Sequence, residues 1–422
     1  IYESLHGMKK GLKDIVAPQG MFEDLGLKYI GPVDGHDLVD LERAFAQAKR
    51  FEGPVLVHAI TEKGRGHLPA LNDEAEKFHA VGVVDPETGE PLAKSGTSWT
   101  QEFASELVKI GEERSDVVAI TAAMLGPTGL SAFQERFPER TFDVGIAEQH
   151  ATTSAAGMAL SGLHPVVAVY STFLNRAFDQ LLLDVSLHNA GVTFVLDRSG
   201  ITGDDGPSHN GIWDLAVGGI VPNLHIAALR NAVRLRELIR ECISINNAPS
   251  LIRFPKGAIN PELPAFERRE GIDILYRGES ADILLVSIGA VAQIAVDAAA
   301  QAYREGVGVT VVDPRWVKPL PIDALINMAN RYSHVVVLED GIKHGGIAST
   351  LSESFRERGV STPLHSIGVP LEFIEHSKRG EILDDLGITV PSIARQLVGW
   401  HANAMEARQL QPGESADRRP TH

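Results

Sequence analysis

The sequence FDVGIAEQHATTSAAGMALSG, residues 142–162, places one carboxylate, that of Glu148, at a predicted strand-to-helix junction among apolar and small residues. Phe142, Val144 and Ile146 alternate as the residues of a buried strand would, and the alanine-rich run that follows has a helical period. A glutamate in a first helical turn is often simply favoured by the helix dipole. Small neighbours, however, leave room for a flat ligand, so this carboxyl group is a candidate for proton chemistry.

Apparent strands alternate with helical stretches along most of the chain, which predicts α/β domains with successive open, mostly parallel sheets. Residues 1–16 are predicted to form an amphipathic helix, and residues 81–98 a turn-rich linker. The predicted strands are residues 28–33, 54–60, 117–121, 142–146, 165–170, 192–197, 224–229, 249–254, 282–289, 308–313, 334–340 and 362–368. A second α/β unit is predicted to begin at Trp99, a third follows it, and residues 406–422 are predicted to form a disordered tail.

The composition argues against several classes of protein. A net charge of -16 is unlike a general nucleic-acid or membrane-surface protein, because those partners select for basic faces. No apolar run of about 18 residues occurs, so no transmembrane helix is predicted. The lone cysteine, Cys242, rules out a disulfide framework and favours a reducing compartment such as the cytoplasm. Because the chain opens without an initiator methionine, we expect it to be part of a longer polypeptide.

Polar side chains gather in loops that directly follow predicted strands, at the edge where open α/β sheets place ligands. A lone arginine or aspartate in such a loop is more often a solvated turn residue, but several such loops together favour a site. These loops are KGRGH (63–67), YSTFLNRAFDQ (170–180), DRSGITGDDGPSHNG (197–211) and RFPKG (253–257). Another glycine-rich turn, KHGGIAST (343–350), either binds an anion at a helix start or simply packs.

Six segments closely resemble the 1-deoxy-D-xylulose-5-phosphate synthase family, which are thiamine-diphosphate enzymes of the transketolase superfamily. The segments are GPVDGHD (31–37), KGRGH (63–67), FHAV (78–81), FDVGIAEQHA (142–151), YSTFLNRAFDQ (170–180) and DRSGITGDDGPSHNGIWDL (197–215). The Glu-Gln-His helix start alone would indicate only the superfamily. The last two segments point to this family, and the resemblance extends from residue 1 to about residue 400.

The resemblance implies three α/β domains, of which this chain carries the end of a domain that binds the cofactor diphosphate through Mg²⁺, a pyrimidine-binding domain and a C-terminal domain. These three parts correspond to residues 1–96, 97–265 and 275–402, respectively. The family's Gly-Asp-Gly stretch and downstream Asn, which ligate the magnesium, do not occur in these residues, so no metal ligand is assigned within them. Thiamine diphosphate, Mg²⁺ and a cytoplasmic homodimer are implied by the resemblance alone.

The implied reaction joins pyruvate to D-glyceraldehyde 3-phosphate with loss of carbon dioxide, the step that opens the non-mevalonate route to isoprenoid precursors and feeds thiamine and pyridoxal synthesis. Glu148 would exchange a proton with the aminopyrimidine of the cofactor. The other roles implied by the resemblance are cofactor binding for His67, Phe173 and Arg176, substrate positioning and proton transfer for His79, Asp205 and His209, and phosphate binding for Tyr170, Arg198 and Lys256. Some relatives have Tyr in place of His67, and Arg253 is expected to be structural.

Three alternatives remain open at this stage. The β-subunit of a 2-oxo acid dehydrogenase also lacks the diphosphate domain, but it would begin near Trp99. Transketolase itself would use the same glutamate without the Asp205 and His209 loop. A binding or regulatory module that has lost its cofactor domain would have no catalytic activity at all.

Overall fold

The computed structural model describes residues 20–73, 77–79, 81–92 and 96–409. The predicted helix over residues 1–16 therefore lies outside the described residues, as do residues 410–422 of the predicted tail. The chain divides into two compact units, residues 1–94 and residues 95–422.

The first unit contains the βαβ arrangement that the sequence predicts. Strands β1 (Lys28–Asp34) and β2 (Val55–Ile60) pair in parallel. The helix between them begins after Asp37, whose carboxylate accepts hydrogen bonds from the backbone amides of Val39 and Asp40, a typical N-cap. The helices of this unit are α1 (Gly20–Asp24), α2 (Leu38–Ala48) and α3 (Leu68–Asn72).

The second unit begins with a seven-stranded sheet in the order β13-β7-β8-β6-β5-β3-β4. Its neighbours pair in parallel, except that β13 is antiparallel to β7. The strands are β3 (Val117–Thr121), β4 (Thr141–Asp143), β5 (His164–Tyr170), β6 (Thr193–Asp197), β7 (His225–Ala228), β8 (Ser250–Arg253) and β13 (Trp316–Lys318). The helices are α4 (Trp99–Glu113), α5 (Ser131–Arg136), α6 (Glu148–Leu160), α7 (Phe178–Gln180), α8 (Asp214–Gly219) and α9 (Ala232–Ile243), with 3₁₀ turns at Pro138–Arg140 and Ser171–Ala177 and a π-helix at Leu181–Ser186.

A second, six-stranded sheet of this unit has the order β15-β14-β11-β12-β10-β9. Its first four strands are parallel, whereas β10 and β9 continue the sheet in antiparallel pairing. The strands are β9 (Glu267–Arg269), β10 (Ile272–Tyr276), β11 (Ile283–Ser287), β12 (Val309–Asp313), β14 (His334–Ile342) and β15 (Leu364–Val369). The helices are α10 (Ala292–Arg304), α11 (Ile322–Ala329), α12 (Ile347–Arg358), α13 (Arg379–Asp385) and α14 (Val390–Gln409), with a 3₁₀ turn at Gly289–Val291.

The α/β class and the mostly parallel sheets are confirmed. Three antiparallel strands, β9, β10 and β13, escaped prediction because they are short and lie at or near sheet edges. Helix α14 extends to Gln409, past the predicted start of the tail at residue 406. None of the helices in the described part of the chain is long and apolar enough to cross a membrane.

The prediction of a buried strand over residues 142–146 is wrong. Strand β4 ends at Asp143, and the side chains of Phe142 and Ile146 are 39% and 79% exposed. The reason is the position of β4 at the edge of the seven-stranded sheet, where only β3 pairs with it. Apolar alternation in an edge strand does not require that both of its faces be covered.

The helix that begins in the turn at 343–350 binds a carboxyl group of the protein itself through its first backbone amides. Glu339, at the end of β14, is fully buried and accepts hydrogen bonds from the amides of Ile347 and Ala348 in the first turn of α12. A Cβ at Gly346 would lie 2.4 Å from Glu339 Oε2, so the close approach requires a glycine there. Of the two sequence interpretations, anion binding and packing, the contacts favour packing, since the protein itself supplies the anion.

Glu339 generates a prediction about pH. Burial raises the pKa of Glu339 from 4.5 to about 7, although the two backbone amides oppose the rise. Because the folded-state pKa is the higher one, the stability from this group is complete below about pH 4.5 and is lost as the pH rises through 7. The loss should amount to about 3 kcal/mol.

Glu339→Gln should therefore flatten the fall in stability between pH 5 and pH 8, measured as the urea midpoint of unfolding. Glu353→Gln, an exposed change on α12, the helix whose first turn binds Glu339, is the matched control and should leave the fall unchanged. Equal pH dependence in wild type and Glu339→Gln would show that the buried carboxyl group does not titrate in this range.

Candidate active site

The predicted site residues of the second unit all follow strands of the seven-stranded sheet. Glu148 comes after β4, Tyr170 ends β5, Arg198 follows β6 and Lys256 follows β8. Since these four strands run parallel, their carboxyl ends lie at one edge of the sheet. Topology thus places these side chains along a single edge, as the sequence predicts.

Glu148 is the first residue of α6 and is only 4% exposed. Its Oε2 atom is buried, and the described part of the chain offers it no hydrogen-bond partner. Ala151, Ala155 and Ala156 on the same helix are buried in the hydrophobic core. An unsatisfied buried acceptor costs about 1–3 kcal/mol, which points to a partner that a bound ligand would supply.

Three aromatic rings form a cluster beside this helix. Tyr170 and Phe173 stack with their ring centroids 5.7 Å apart, and His209 meets Phe173 edge-on at 5.5 Å. The exposed guanidinium of Arg176 lies 5.9 Å from the centroid of the Phe173 ring. Phe173 and Arg176 belong to the 3₁₀ turn over Ser171–Ala177, which packs against α6. The structure therefore brings together four side chains that the sequence assigns to the site.

Arg198 is held on several sides. Its guanidinium lies 3.8 Å from the centroid of the Tyr170 ring, donates to the Pro127 carbonyl at 3.2 Å and pairs with Asp197 at 3.4 Å. Its backbone has φ 63°, in the left-handed region that non-glycine residues rarely adopt. Such strain persists where the surroundings determine the conformation, often next to a ligand.

Asp197 was not identified from the sequence, although it is the last residue of β6. Its carboxylate is buried, accepts a hydrogen bond from Thr100 Oγ1 at 2.6 Å and faces Arg198. Burial raises the pKa of Asp197 to about 6, and the charge of Arg198 opposes part of that rise. Its position at the end of a strand was visible in the sequence, but its contact with Thr100, 97 residues away, was not.

Lys256 and Asp205 form an ion pair with 2.7 Å between Nζ and Oδ2. Both side chains are partly exposed, at 39% and 29%. The pair joins the loop after β8 to the 198–211 loop after β6. A phosphate group that binds Lys256 would therefore compete with Asp205 for the ammonium group.

His67 and His79 lie in the first unit. His67 precedes α3, donates through Nε2 to the Pro86 carbonyl at 3.1 Å and has its ring 5.7 Å from that of Phe78. His79 is exposed, with its Nδ1 atom 3.0 Å from Lys63 Nζ. Their roles at a cofactor or substrate stay predictions.

Arg253, expected to be structural, is a buried cation near this edge, with 2% of its side chain exposed. It donates from Nε to Asp214 and from Nη1 to Asp340, each at 2.7 Å. Burial lowers the pKa of Arg253, but the two carboxylates outweigh burial and hold the pKa above its usual range. Asp214 and Asp340 carried no local signal in the sequence that would have linked them to the site.

Family models match three parts of the chain. Residues 1–61 match the model described as 1-deoxy-D-xylulose-5-phosphate synthase. Residues 95–261 match the transketolase pyrimidine binding domain, and residues 273–393 match the transketolase C-terminal domain.

Curated relatives agree with these matches. The chain is 55% identical to 1-deoxy-D-xylulose-5-phosphate synthase 2 of Streptomyces avermitilis, over 94% of this chain and 62% of the relative. It is 55% identical to the 1-deoxy-D-xylulose-5-phosphate synthase of Streptomyces griseus, over 98% of this chain and 65% of the relative. It is 56% identical to that of Paenarthrobacter aurescens, over 94% of this chain and 61% of the relative. The chain belongs to the 1-deoxy-D-xylulose-5-phosphate synthase family. It spans less than two thirds of the length of these synthases.

Solved structures relate the synthase family chain to transketolases. A split-gene transketolase, described as an inactive β4 tetramer, is 26% identical with a TM-score of 0.64, over 72% of this chain and 99% of its own. A transketolase from Campylobacter jejuni is 15% identical with a TM-score of 0.62, over 90% of this chain and 68% of its own, and this likeness concerns the fold. The family resemblance seen in the sequence is thus confirmed, whereas the role of each site residue stays a prediction.

Proposed function

We propose that this protein catalyses the decarboxylative condensation of pyruvate with D-glyceraldehyde 3-phosphate to 1-deoxy-D-xylulose 5-phosphate and carbon dioxide. The observation that carries the proposal is the buried Glu148 carboxyl group, whose Oε2 atom has no hydrogen-bond partner among the described residues. It begins a helix of small side chains in a chain 55% identical to a synthase of Streptomyces griseus.

Glu148 and Phe173 fit an aminopyrimidine group. The unsatisfied Oε2 atom can hold a proton against a ring nitrogen, and Phe173 belongs to an aromatic cluster on a turn that packs against the same helix. Thiamine diphosphate, when bound, supplies the carbanion chemistry by which a 2-oxo acid loses carbon dioxide and adds to an aldehyde. Mg²⁺ is the ion proposed to join its diphosphate to the protein. The residues that bind this ion are proposed to lie in the part of the family's diphosphate domain that has no counterpart in residues 1–422.

The acceptor phosphate is proposed to bind between Arg198 and Lys256, with Tyr170 beside Arg198. Arg198 is already fixed by its contacts with Tyr170, Pro127 and Asp197, so it loses little conformational freedom on binding. Lys256 must first leave Asp205. Asp205 and His209 then face the acceptor from the same loop, where they are proposed to position it and move protons.

The remaining assignments are also proposals. Residues 1–96, 97–265 and 275–402 would be the end of the diphosphate domain with its linker, the pyrimidine-binding domain and the C-terminal domain. A homodimer is supported by four exposed apolar side chains on and after α6, those of Leu160, Leu163, Leu183 and Leu187. The buried thiol of Cys242, the one cysteine of the chain, agrees with a cytoplasmic enzyme.

Glu148→Gln and Glu148→Ala, made in the enzyme expressed from its complete coding sequence, should abolish carbon dioxide release from pyruvate. Both changes remove the proton donor, and Gln preserves the shape of the side chain. Loss of a positioned acid typically costs about 10²- to 10⁴-fold in rate. Release of labelled carbon dioxide from pyruvate measures the effect.

The matched control is Glu106→Gln, which changes another buried glutamate, one that pairs with Arg240 of α9 and Lys109 of α4. It should reduce stability and leave carbon dioxide release near the wild-type rate. Near-wild-type release from the Glu148 variants would refute the acid role and favour a protein without catalytic activity.

Arg198→Ala should raise the KM for D-glyceraldehyde 3-phosphate more than Lys256→Ala does. Arg198 is a fixed fork that can bind a phosphate through two parallel hydrogen bonds, whereas Lys256 is a point charge on a flexible stem. Charge-assisted hydrogen bonds of about 1.5–3 kcal/mol imply roughly a ten- to hundred-fold rise for Arg198→Ala. Steady-state kinetics measure both values.

The KM for pyruvate, which has no phosphate, should hardly change in either variant. Unphosphorylated glyceraldehyde serves as the control acceptor. If both variants weaken the use of the two aldehydes equally, these cations do not bind the phosphate.

A further inference from the structure

The loop of residues 198–211, called the acceptor loop here, is closed at its base by backbone pairing. Gly200 and Gly211 exchange two hydrogen bonds of 2.8 and 2.9 Å. Between these residues the loop carries Asp205 and His209, and Arg198 lies just before the closure. Any group that fixes Gly200 and Gly211 at the base of the loop therefore also fixes the positions of these three side chains.

The base of the loop rests on the six-stranded sheet. A Cβ at Gly200 would lie 2.6 Å from Oδ2 of Asp340, a residue of β14, so the loop backbone lies directly against this carboxylate. Asp340 Oδ1 accepts the hydrogen bond from Arg253, whereas its Oδ2 is buried and, among the described residues, has no hydrogen-bond partner. The position of the loop base thus depends on where Asp340 is held.

The same arginine reaches the other side of the site. Arg253 donates to Asp214 Oδ2, which also accepts a hydrogen bond from Ser171 Oγ at 3.1 Å. Ser171 directly follows Tyr170, and its Cβ would lie 2.6 Å from a Cβ placed on Gly211. One buried guanidinium therefore connects the turn after β5, the base of the acceptor loop and the six-stranded sheet.

We propose that Arg253, Asp214 and Asp340 form a positioning unit through which the six-stranded sheet sets the geometry of the acceptor loop, and with it the affinity for the phosphorylated acceptor. The proposal rests on the proposed function. None of the three is a catalytic residue, since each acts through Ser171, Gly200 or Gly211. Arg253 thereby has a role beyond stability, because Asp340 lies against the base of the acceptor loop and Asp214 bonds Ser171 beside it.

The test is Asp340→Asn, which keeps the acceptor atom for Arg253 and removes the charge. We expect the KM for D-glyceraldehyde 3-phosphate to rise roughly tenfold, because small displacements of positioning groups have effects of this size or larger. The KM for pyruvate should stay within about twofold of the wild-type value, because pyruvate has no phosphate and does not depend on the position of the acceptor loop.

The chain offers a matched control in Asp313→Asn. Arg230 is buried between Asp273 and Asp313, at 2.7 and 2.5 Å, just as Arg253 is buried between Asp214 and Asp340. Both variants remove one of two carboxylates from a buried arginine, so both should lower the unfolding temperature. The interactions described for Arg230 and Asp313 do not include the acceptor loop, so Asp313→Asn should leave the acceptor KM unchanged.

A rise in acceptor KM in Asp340→Asn but not in Asp313→Asn supports the positioning unit. Equal acceptor KM values in the two variants overturn it. Should Asp340→Asn fail to fold, Ser171→Ala decides, since it removes the hydroxyl that donates to Asp214 and, at 3.4 Å, to the Gly211 carbonyl at the loop base. An unchanged acceptor KM would overturn the proposal, and a selective rise would support it. If the wild-type enzyme forms no product from the two substrates, the proposed function fails and the positioning unit fails with it.

Discussion

A charged guanidinium inside a protein is stable only where carboxylates compensate the loss of water, and Arg253 depends on two of them. Asp214 is the first residue of α8, and Asp340 lies in β14 of the six-stranded sheet. The charge of Arg253 is therefore compensated only when both carboxylates are in place. Arg230 is compensated in the same way, by the carboxylates of Asp273 and Asp313. Apolar packing alone tolerates small slips, whereas hydrogen bonds of 2.7 Å to a planar fork do not, and this fixes the ends of β8 and β14 relative to one another.

The cations of the proposed phosphate site show how a chain of net charge -16 can hold an anion. Arg198 and Lys256 each have a neighbouring aspartate, so neither is an isolated charge that would need the surrounding field to be positive. The two pairs differ in kind. The Arg198 pair is largely buried and its backbone is strained, which means that its position is set before any ligand arrives. The Lys256 pair is partly exposed and can exchange partners at little cost.

Local patterns in the sequence predicted the parallel strands of the seven-stranded and six-stranded sheets and the glycine-rich loops at their ends. A buried strand requires a run of apolar residues and a positive φ favours glycine, so both can be seen in the sequence. Local patterns failed where the answer depends on distant residues. Strand β4 has the alternation of a buried strand, but its place at the sheet edge is decided by topology. The contacts of Arg253 with Asp214 and Asp340 were not predicted, because these partners lie 39 and 87 residues away and no spacing rule connects them.

Two of the buried glutamates of the second unit, Glu339 and Glu148, differ in how their burial is compensated. Glu339 lies before the first turn of α12 and has both oxygens bound by backbone amides, so its burial is compensated within the fold. Glu148 lies in the first turn of α6 and leaves Oε2 buried without a partner in the described chain, at a cost of about 1–3 kcal/mol. A fold that needed Glu148 only to stabilise a helix start would gain by exposing it or by supplying a donor. The uncompensated oxygen therefore supports the proposed role of Glu148 at a site that a ligand completes.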